Sequence, residues 1–179
     1  MDRLLLVTGG SRSGKSRYAQ QIAESYPAPR VFIATCQVCD REMEDRVRRH
    51  RNARNPANWR TIEEPLDLAG ALRSAGESSV MLIDCLTIWI NNLLYEALKS
   101  GDIPTAEKAA AACRHVLDVC RSINGIIIFV SGEVGMGIVP DNPLARLYRD
   151  CVGDCNQMIA AAADTVTLVN CGLPLTLKG

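Results

Sequence analysis

The 179-residue chain has no long hydrophobic run, no excess of charge of either sign and few aromatic residues. No apolar stretch approaches the ~18 residues that would span a bilayer, so we expect no stable membrane insertion. Lysine plus arginine and aspartate plus glutamate number 20 each, and aromatic residues make up 4%. Neither the overall charge nor the aromatic content therefore favours a nucleic-acid partner, and we expect none. The apolar run at residues 4–7 is too short for a signal peptide, which leads us to expect a cytoplasmic protein.

A second Cys-x-x-Cys pair is also missing. The chain has eight cysteines, and Cys36 and Cys39 have the spacing of a redox or metal-binding pair. A structural zinc site needs four ligands, and no other pair has a suitable spacing. Most of the other cysteines lie in apolar segments and are predicted to be buried, reduced thiols: Cys85, Cys113, Cys120 and Cys171.

Apolar runs of strand length alternate with helical patterns along the chain. Strands are predicted at residues 4–8, 31–34, 80–83, 126–130 and 164–170, with an edge strand at 173–177. Helices are predicted at residues 15–26, 40–51, 86–98, 106–120 and 143–162, the last with Asn142 as its N-cap and Pro143 in its first position. Uninterrupted apolar strands indicate burial on both faces. We therefore expect a three-layer α/β fold with a mainly parallel sheet, formed by residues 1–179 as one domain.

A phosphate-binding loop follows the first strand. Residues 9–16 match the pattern G-x-x-x-x-G-K-[ST], in which backbone N–H groups surround a phosphate chain. Lys15 is predicted to reach the terminal phosphates and to be catalytic, and the Ser16 hydroxyl to hold Mg²⁺. Nucleotide contacts are predicted for the whole loop: Gly9, Gly10, Ser11, Arg12, Ser13, Gly14, Lys15 and Ser16.

Asp84 ends the third predicted strand, where enzymes with this loop place the acid that holds Mg²⁺. The alternative is that Asp84 is the N-cap of the helix that begins near Leu86. Glu63 and Glu64 are expected in a loop. Either they are simply solvated, or one of them accepts hydrogen bonds from a guanine base or a ribose.

One of the two histidines lies within a run of arginines. His50 is flanked by Arg46, Arg48, Arg49, Arg51 and Arg54. This run is either a solvated basic helix face, a nucleic-acid patch, or an anion site in which neutral His50 attacks phosphorus. His115 lies within a predicted helix and is interpreted as structural.

Several segments together resemble a known family, the bifunctional adenosylcobinamide kinase / adenosylcobinamide-phosphate guanylyltransferases of cobalamin biosynthesis. The segments that carry the resemblance, in chain order, are residues 7–16, 33–35, 42–50, 59–65, 84–94, 133–140 and 142–157. The sequence Glu-Val-Gly-Met-Gly-Ile-Val-Pro at 133–140 is much more specific than the phosphate-binding loop.

The resemblance implies a RecA-like P-loop fold, a homotrimer and two reactions. ATP or GTP phosphorylates adenosylcobinamide. A histidine, here His50, then attacks the α-phosphorus of GTP, and the GMP–histidine passes GMP to adenosylcobinamide phosphate. Beyond the loop, the resemblance places the nucleotide at Ala34, Thr35, Cys36, Arg51, Arg54, Glu63 and Asp84, with Mg²⁺ at Ser16 and Asp84.

Two other functions stay open on the residues alone. One is a P-loop small-molecule kinase in which His50 has no catalytic part. The other is a nucleotide-dependent binding or regulatory protein that uses the arginine run at 46–54.

Overall fold

The computed structural model describes residues 3–36, 58–76 and 78–179. Its centre is a seven-stranded sheet in the order β3-β2-β4-β5-β1-β6-β7. All neighbouring strands are parallel except the β6–β7 pair, which is antiparallel. The strands are β1 Leu4–Gly9, β2 Arg30–Ala34, β3 Trp59–Glu63, β4 Val80–Asp84, β5 Ile126–Gly132, β6 Thr165–Asn170 and β7 Leu173–Lys178.

Five helices lie within the described ranges. They are α1 Lys15–Glu24, α2 Leu68–Ser74, α3 Leu86–Lys99, α4 Ala106–Ser122 and α5 Pro143–Ala162. The start of α5 is determined locally, because the Asn142 side chain accepts hydrogen bonds from the backbone N–H groups of Leu144 and Ala145, and Pro143 occupies the first turn. The predicted cap of this helix is confirmed. No helix in these ranges has both the length and the apolarity needed to cross a membrane.

The sheet lies between two apolar cores. Alternate residues of β1 point to opposite faces, so Leu5 and Val7 pack with α1 whereas Leu6 packs with the core of α2, α3, α4 and α5. Strands β1, β2, β4 and β5 are buried on both sides, which explains their uninterrupted apolar sequences. The predicted three-layer α/β fold with a mainly parallel sheet is confirmed.

Some local predictions are wrong. Glu63 does not lie in a loop: it is the last residue of β3, an edge strand that pairs with β2. The helix α2 has no counterpart among the predicted elements, and α1 ends at Glu24, two residues before the predicted end at 26. Cys171 is exposed, because it occupies the β6–β7 turn with a φ of 51°. Cys85, Cys113 and Cys120 are buried as expected.

The parallel strands bring their carboxyl ends to one edge of the sheet, and this edge carries the residues of interest. In register, Ala34 of β2 pairs with Glu63 of β3 on one side and with Asp84 of β4 on the other. On the far side of β4, Gly9 of β1 pairs with Gly132 of β5. The sheet thereby places the phosphate-binding loop two strands away from Asp84.

Candidate active site

The phosphate-binding loop joins β1 to α1, and its carbonyl groups are occupied from within the protein. The Lys15 ammonium donates to the Gly10 carbonyl at 3.0 Å, and the Ser13 N–H donates to the same oxygen at 3.3 Å. The Gly9 carbonyl accepts from the Glu133 N–H at 3.0 Å. With these acceptors satisfied, the loop can offer its other N–H groups to an anion. The first N–H groups of α1 also have no acceptor within the helix.

The β6–β7 turn packs against the same loop. Gly14, at a φ of 97°, immediately precedes α1, and a Cβ atom added there would lie 3.3 Å from Gly172 Cα. The Gly172 N–H donates to the Ser13 carbonyl at 2.8 Å. Ser13 is 7% exposed, and its hydroxyl finds no hydrogen-bond partner within the described part of the chain. The loop is thus supported by β5 on one side and by the β6–β7 turn on the other.

Asp84 lies at the end of β4 and is half-buried. It is not the N-cap of α3: that position belongs to Cys85, which makes no side-chain capping bond. Burial of the Cys85 thiol and the negative charge of the adjacent Asp84 raise the pKa of the thiol to about 11. The positive charge of Lys15 acts in the opposite direction. Asp84 and Lys15 therefore both lie near enough to Cys85 to affect its ionisation.

Thr35 connects β2 to the residue after Asp84. Its hydroxyl donates to the Cys85 carbonyl at 2.8 Å and accepts from the Cys85 N–H at 2.8 Å. The Asn92 side-chain amide, on α3, donates to the carbonyls of Thr35 and Pro65 at 2.8 and 3.1 Å. The buried hydroxyl of Thr35 thus holds the β4–α3 junction in place. The predicted nucleotide contact at Thr35 stays a prediction.

The two neighbouring glutamates differ in their surroundings. The Glu64 carboxylate accepts from the N–H groups of Leu66 and Asp67, both at 2.9 Å, and so stabilises the turn that leads into α2. Glu63, paired in register with Ala34, is exposed at the edge. Of the two, Glu63 is exposed and Glu64 is half-buried.

The structure brings most of the described predicted site residues to one edge of the sheet. They are the loop residues 9–16, Ala34, Thr35, the half-buried Cys36, Glu63 and Asp84. His50, Arg51 and Arg54, like Cys39, lie outside the described residues. His115 is exposed on α4.

The oxygen donors at this edge fit Mg²⁺. This cation usually keeps several waters and binds through one or two carboxylates together with substrate phosphates. The Ser16 hydroxyl and the Asp84 carboxylate are both hard oxygen donors, and both side chains are half-buried. The described residues contain no group of three His, Cys, Asp or Glu side chains arranged to hold a metal ion. Two such donors would suit a cation that also binds a phosphate chain.

Two residues of this edge, Glu133 and Gly172, are not among the site residues predicted from the sequence. Glu133 directly follows β5, just as Asp84 ends β4. The reasoning that selected Asp84, an acidic residue at the end of an apolar strand, would also have selected Glu133. Gly172 could not have been found in this way, because its contact with the loop joins segments about 160 residues apart.

Comparisons with known proteins identify related sequences. Residues 5–177 match the family model described as cobinamide kinase / cobinamide phosphate guanyltransferase. The bifunctional adenosylcobalamin biosynthesis protein CobP of Pseudomonas aeruginosa is 43% identical over 97% of this chain and 96% of its own. The bifunctional adenosylcobalamin biosynthesis proteins CobU of Salmonella typhimurium and Escherichia coli are 41% and 38% identical, each over 98% of this chain and 99% of its own.

A solved structure has a similar fold. It is an ATPase from the type III secretion system of pathogenic bacteria, with a TM-score of 0.57 at 12% identity, covering 97% of this chain and 56% of that one. At this identity the likeness concerns the fold alone, and it agrees with a three-layer α/β P-loop fold.

Proposed function

The chain belongs to the cobinamide kinase / cobinamide phosphate guanyltransferase family, and on that premise we propose that it is a bifunctional enzyme of adenosylcobalamin biosynthesis. It phosphorylates adenosylcobinamide with ATP or GTP, and it converts adenosylcobinamide phosphate to adenosylcobinamide-GDP with GTP. The observation that carries this proposal is the phosphate-binding loop of residues 9–16, at one sheet edge with Asp84, in a chain that matches the family over residues 5–177.

The first reaction transfers a phosphoryl group to a hydroxyl. The hydroxyl oxygen of adenosylcobinamide bonds to the γ-phosphorus, and the bond from that phosphorus to the β,γ-bridging oxygen breaks. The bridging oxygen keeps the electron pair as part of the departing nucleoside diphosphate. The loop N–H groups and the Lys15 ammonium hold the phosphates and offset the charge that develops on the leaving group.

The second reaction occurs at the α-phosphorus of GTP. An imidazole nitrogen of His50 bonds to this phosphorus, and pyrophosphate leaves with the electrons of the α,β-bridging bond. A phosphate oxygen of adenosylcobinamide phosphate then displaces the imidazole, which breaks the P–N bond. Arg51 and Arg54 follow His50 in the sequence, and we assign them to the triphosphate, since guanidinium groups bind phosphate oxygens in pairs.

The remaining edge residues hold and orient the nucleotide. Ser16 and Asp84 would hold Mg²⁺, which when bound neutralises phosphate charge. Ala34, Cys36 and Glu63 lie at the ends of the next two strands, and we assign them to the nucleoside, with the exposed Glu63 carboxylate as the hydrogen-bond acceptor for guanine or ribose.

Covalent labelling tests the second reaction. The protein is incubated with α-labelled GTP and Mg²⁺ and then denatured. A P–N bond predicts a label that is lost in acid, kept in base and chased by adenosylcobinamide phosphate. His50→Ala should carry no label. His115→Ala is the matched control, because this second histidine is exposed on α4, and it should label like the wild type.

A kinase assay with γ-labelled ATP and adenosylcobinamide tests the first reaction. Lys15→Ala should lose phosphoryl transfer and covalent labelling together, because both reactions use the same loop. A protein that phosphorylates adenosylcobinamide but never carries label from GTP would be a kinase without guanylyltransferase activity. Full labelling of His50→Ala would remove His50 from the reaction.

We also propose that the enzyme is a cytoplasmic homotrimer. The support within the described structure is a group of apolar side chains on the loop after β5, where Met136, Ile138 and Val139 are 84%, 97% and 62% exposed. Exposed apolar groups of this kind are typical of interfaces. Light scattering behind size-exclusion chromatography should give three times the chain mass of 19.5 kDa, and a mass near that of one chain would refute the trimer.

A further inference from the structure

Glu133 lies beside the phosphate-binding loop. The strand β5 runs between β1, which carries the loop, and β4, which carries Asp84. Glu133 is the first residue after β5, and its N–H donates to the Gly9 carbonyl at 3.0 Å. In the order of the strands, β5 is the one strand that adjoins both β1 and β4. The backbone of Glu133 is therefore held at the centre of the candidate active site.

The carboxylate of Glu133 can accept more hydrogen bonds than the one it makes within the protein. One of its oxygens, Oε1, accepts from the Gly135 N–H at 2.6 Å. The side chain is half-buried, and it forms no ion pair with any residue in the described part of the chain. A carboxylate has about four lone-pair positions. A single backbone contact orients the group and leaves Oε2 able to accept a proton.

The other described carboxylates at this edge are less suited to take a proton from a substrate. The Glu64 carboxylate already accepts two backbone N–H groups in the turn before α2. Asp84 supplies the oxygen suited to Mg²⁺. Glu63 ends β3, which is separated from β1 by β2, β4 and β5. Glu133 is the carboxylate nearest to the loop in the order of the strands.

We propose that Glu133 is the general base of the kinase reaction, a role that rests on the proposed function. As the hydroxyl oxygen of adenosylcobinamide bonds to the γ-phosphorus, its O–H bond breaks and the proton passes to Glu133 Oε2. The γ-phosphorus to bridging-oxygen bond breaks at the same time, and the nucleoside diphosphate departs with that electron pair. Glu133 then releases the proton to solvent. The hydrogen bond from Gly135 fixes the carboxylate in position for this transfer.

This role separates the two reactions. The kinase acceptor is a neutral hydroxyl, which must lose a proton. The guanylyl acceptor is a phosphate oxygen that already carries charge, and the histidine nitrogen attacks through a lone pair. Removing a general base typically costs about 10²–10⁴ in rate. Loss of Glu133 as a base should therefore slow the kinase reaction and leave guanylyl transfer unchanged.

The test uses Glu133→Gln in the full-length enzyme. Glutamine keeps an oxygen that can accept from the Gly135 N–H, but it cannot take a proton at neutral pH. We expect the kinase kcat to fall by about 10²–10⁴ with KM for ATP and adenosylcobinamide within about threefold of wild type. Covalent labelling by GTP and its chase by adenosylcobinamide phosphate should stay within about threefold.

Two further variants complete the experiment. Glu133→Ala removes both the anchor and the base, and Glu96→Gln changes an exposed carboxylate on α3 as the matched control. Equal loss of kinase kcat in the Gln and Ala variants, with Glu96→Gln normal, supports the base. A slow Ala variant beside a normal Gln variant would show that Glu133 only anchors the loop, and equal loss of both reactions in Glu133→Gln would show the same. A wild-type enzyme with no kinase activity would overturn the proposed kinase function itself, whereas kinase activity retained by Glu133→Gln overturns only the role of Glu133.

Discussion

Gly9 and Gly10 are adjacent glycines that differ in the space around their Cα atoms. Gly9 has a φ of 153°, and a Cβ atom added there would lie 2.3 Å from the Val169 carbonyl oxygen and 2.7 Å from the Ser13 hydroxyl oxygen. The carbonyl belongs to β6, which pairs with β1, so it cannot move without breaking the sheet. A Cβ atom added at Gly10 would meet nothing within 4 Å. Replacing each glycine by alanine therefore adds the same methyl group once to a packed space and once to an open one.

The expected difference is large. A side chain held at a positive φ costs about 1–3 kcal/mol. Forcing a methyl group into a packed space costs another ~1–3 kcal/mol. Gly9→Ala should therefore lower the free energy of unfolding by about 2–6 kcal/mol, equivalent to roughly 5–20 °C in Tm for a chain of this length. Gly10→Ala should stay within about 1 kcal/mol of wild type, because only the entropy of its unfolded chain changes.

Urea unfolding without nucleotide, followed by circular dichroism, measures both effects. Nucleotide is left out because binding would add its own free energy to the folded state. If Gly9→Ala were as stable as Gly10→Ala, with an unchanged m-value, the close approach of β1 to the Val169 carbonyl would be refuted. The same result would refute our inference that the end of β6 supports the loop.

Three other predictions concern single side chains. Thr35→Val should lower the free energy of unfolding by about 1–3 kcal/mol, since it leaves the buried N–H of Cys85 without a partner, whereas the Cys85 carbonyl still accepts from the Trp89 N–H. Thr35→Ser keeps the hydroxyl and should recover most of the loss, and equal losses would contradict the role of the oxygen. Asp164 accepts from two backbone N–H groups at the start of β1, which lowers its pKa. Its ionised form therefore stabilises the fold fully above its unfolded pKa of about 3.9, and that stability is lost as the pH falls through the lower folded pKa. Acid titration of stability should flatten in Asp164→Asn, and an unchanged acid limb would exclude this contribution. Iodoacetamide at pH 8 should modify exposed Cys171 in the native protein but Cys85, with its buried thiol and pKa near 11, only after denaturation, as peptide mass mapping can show; early labelling of Cys85 would contradict its burial.

The parts of the site that sequence reasoning predicted are those encoded by local spacing. The loop at 9–16 needs glycines, Lys15 and Ser16 at set intervals, and all of them belong to one strand-to-helix junction. The Asn142–Pro143 cap is also contained within four residues. Asp84 was identified because an apolar strand ends there. Its capping alternative failed because the chain takes one more residue, Cys85, before α3 begins.

The parts that sequence reasoning missed depend on tertiary context. In β3 only Trp59 is buried, and the other four residues are exposed or half-buried, so the segment lacks the apolar run of an inner strand. Its pairing with β2 decides its structure. Cys171 follows the apolar segment of β6, but the reversal of the chain into β7 leaves it exposed. Apolar neighbours in the sequence therefore did not predict the burial of Cys171, because this residue lies in a turn.

The loop is ordered by contacts that do not involve a ligand. Its carbonyls at Gly9, Gly10 and Ser13 accept from Glu133, Lys15 and Gly172, and these donors come from three different segments. Ordering one backbone residue costs about 1–2 kcal/mol, and the fold meets this cost before any nucleotide arrives. Binding energy from the phosphates is then available for the reaction instead of for folding the loop. One ordered loop can thus serve two reactions at different phosphorus atoms, because the choice between the γ- and α-phosphorus rests with the groups that attack them.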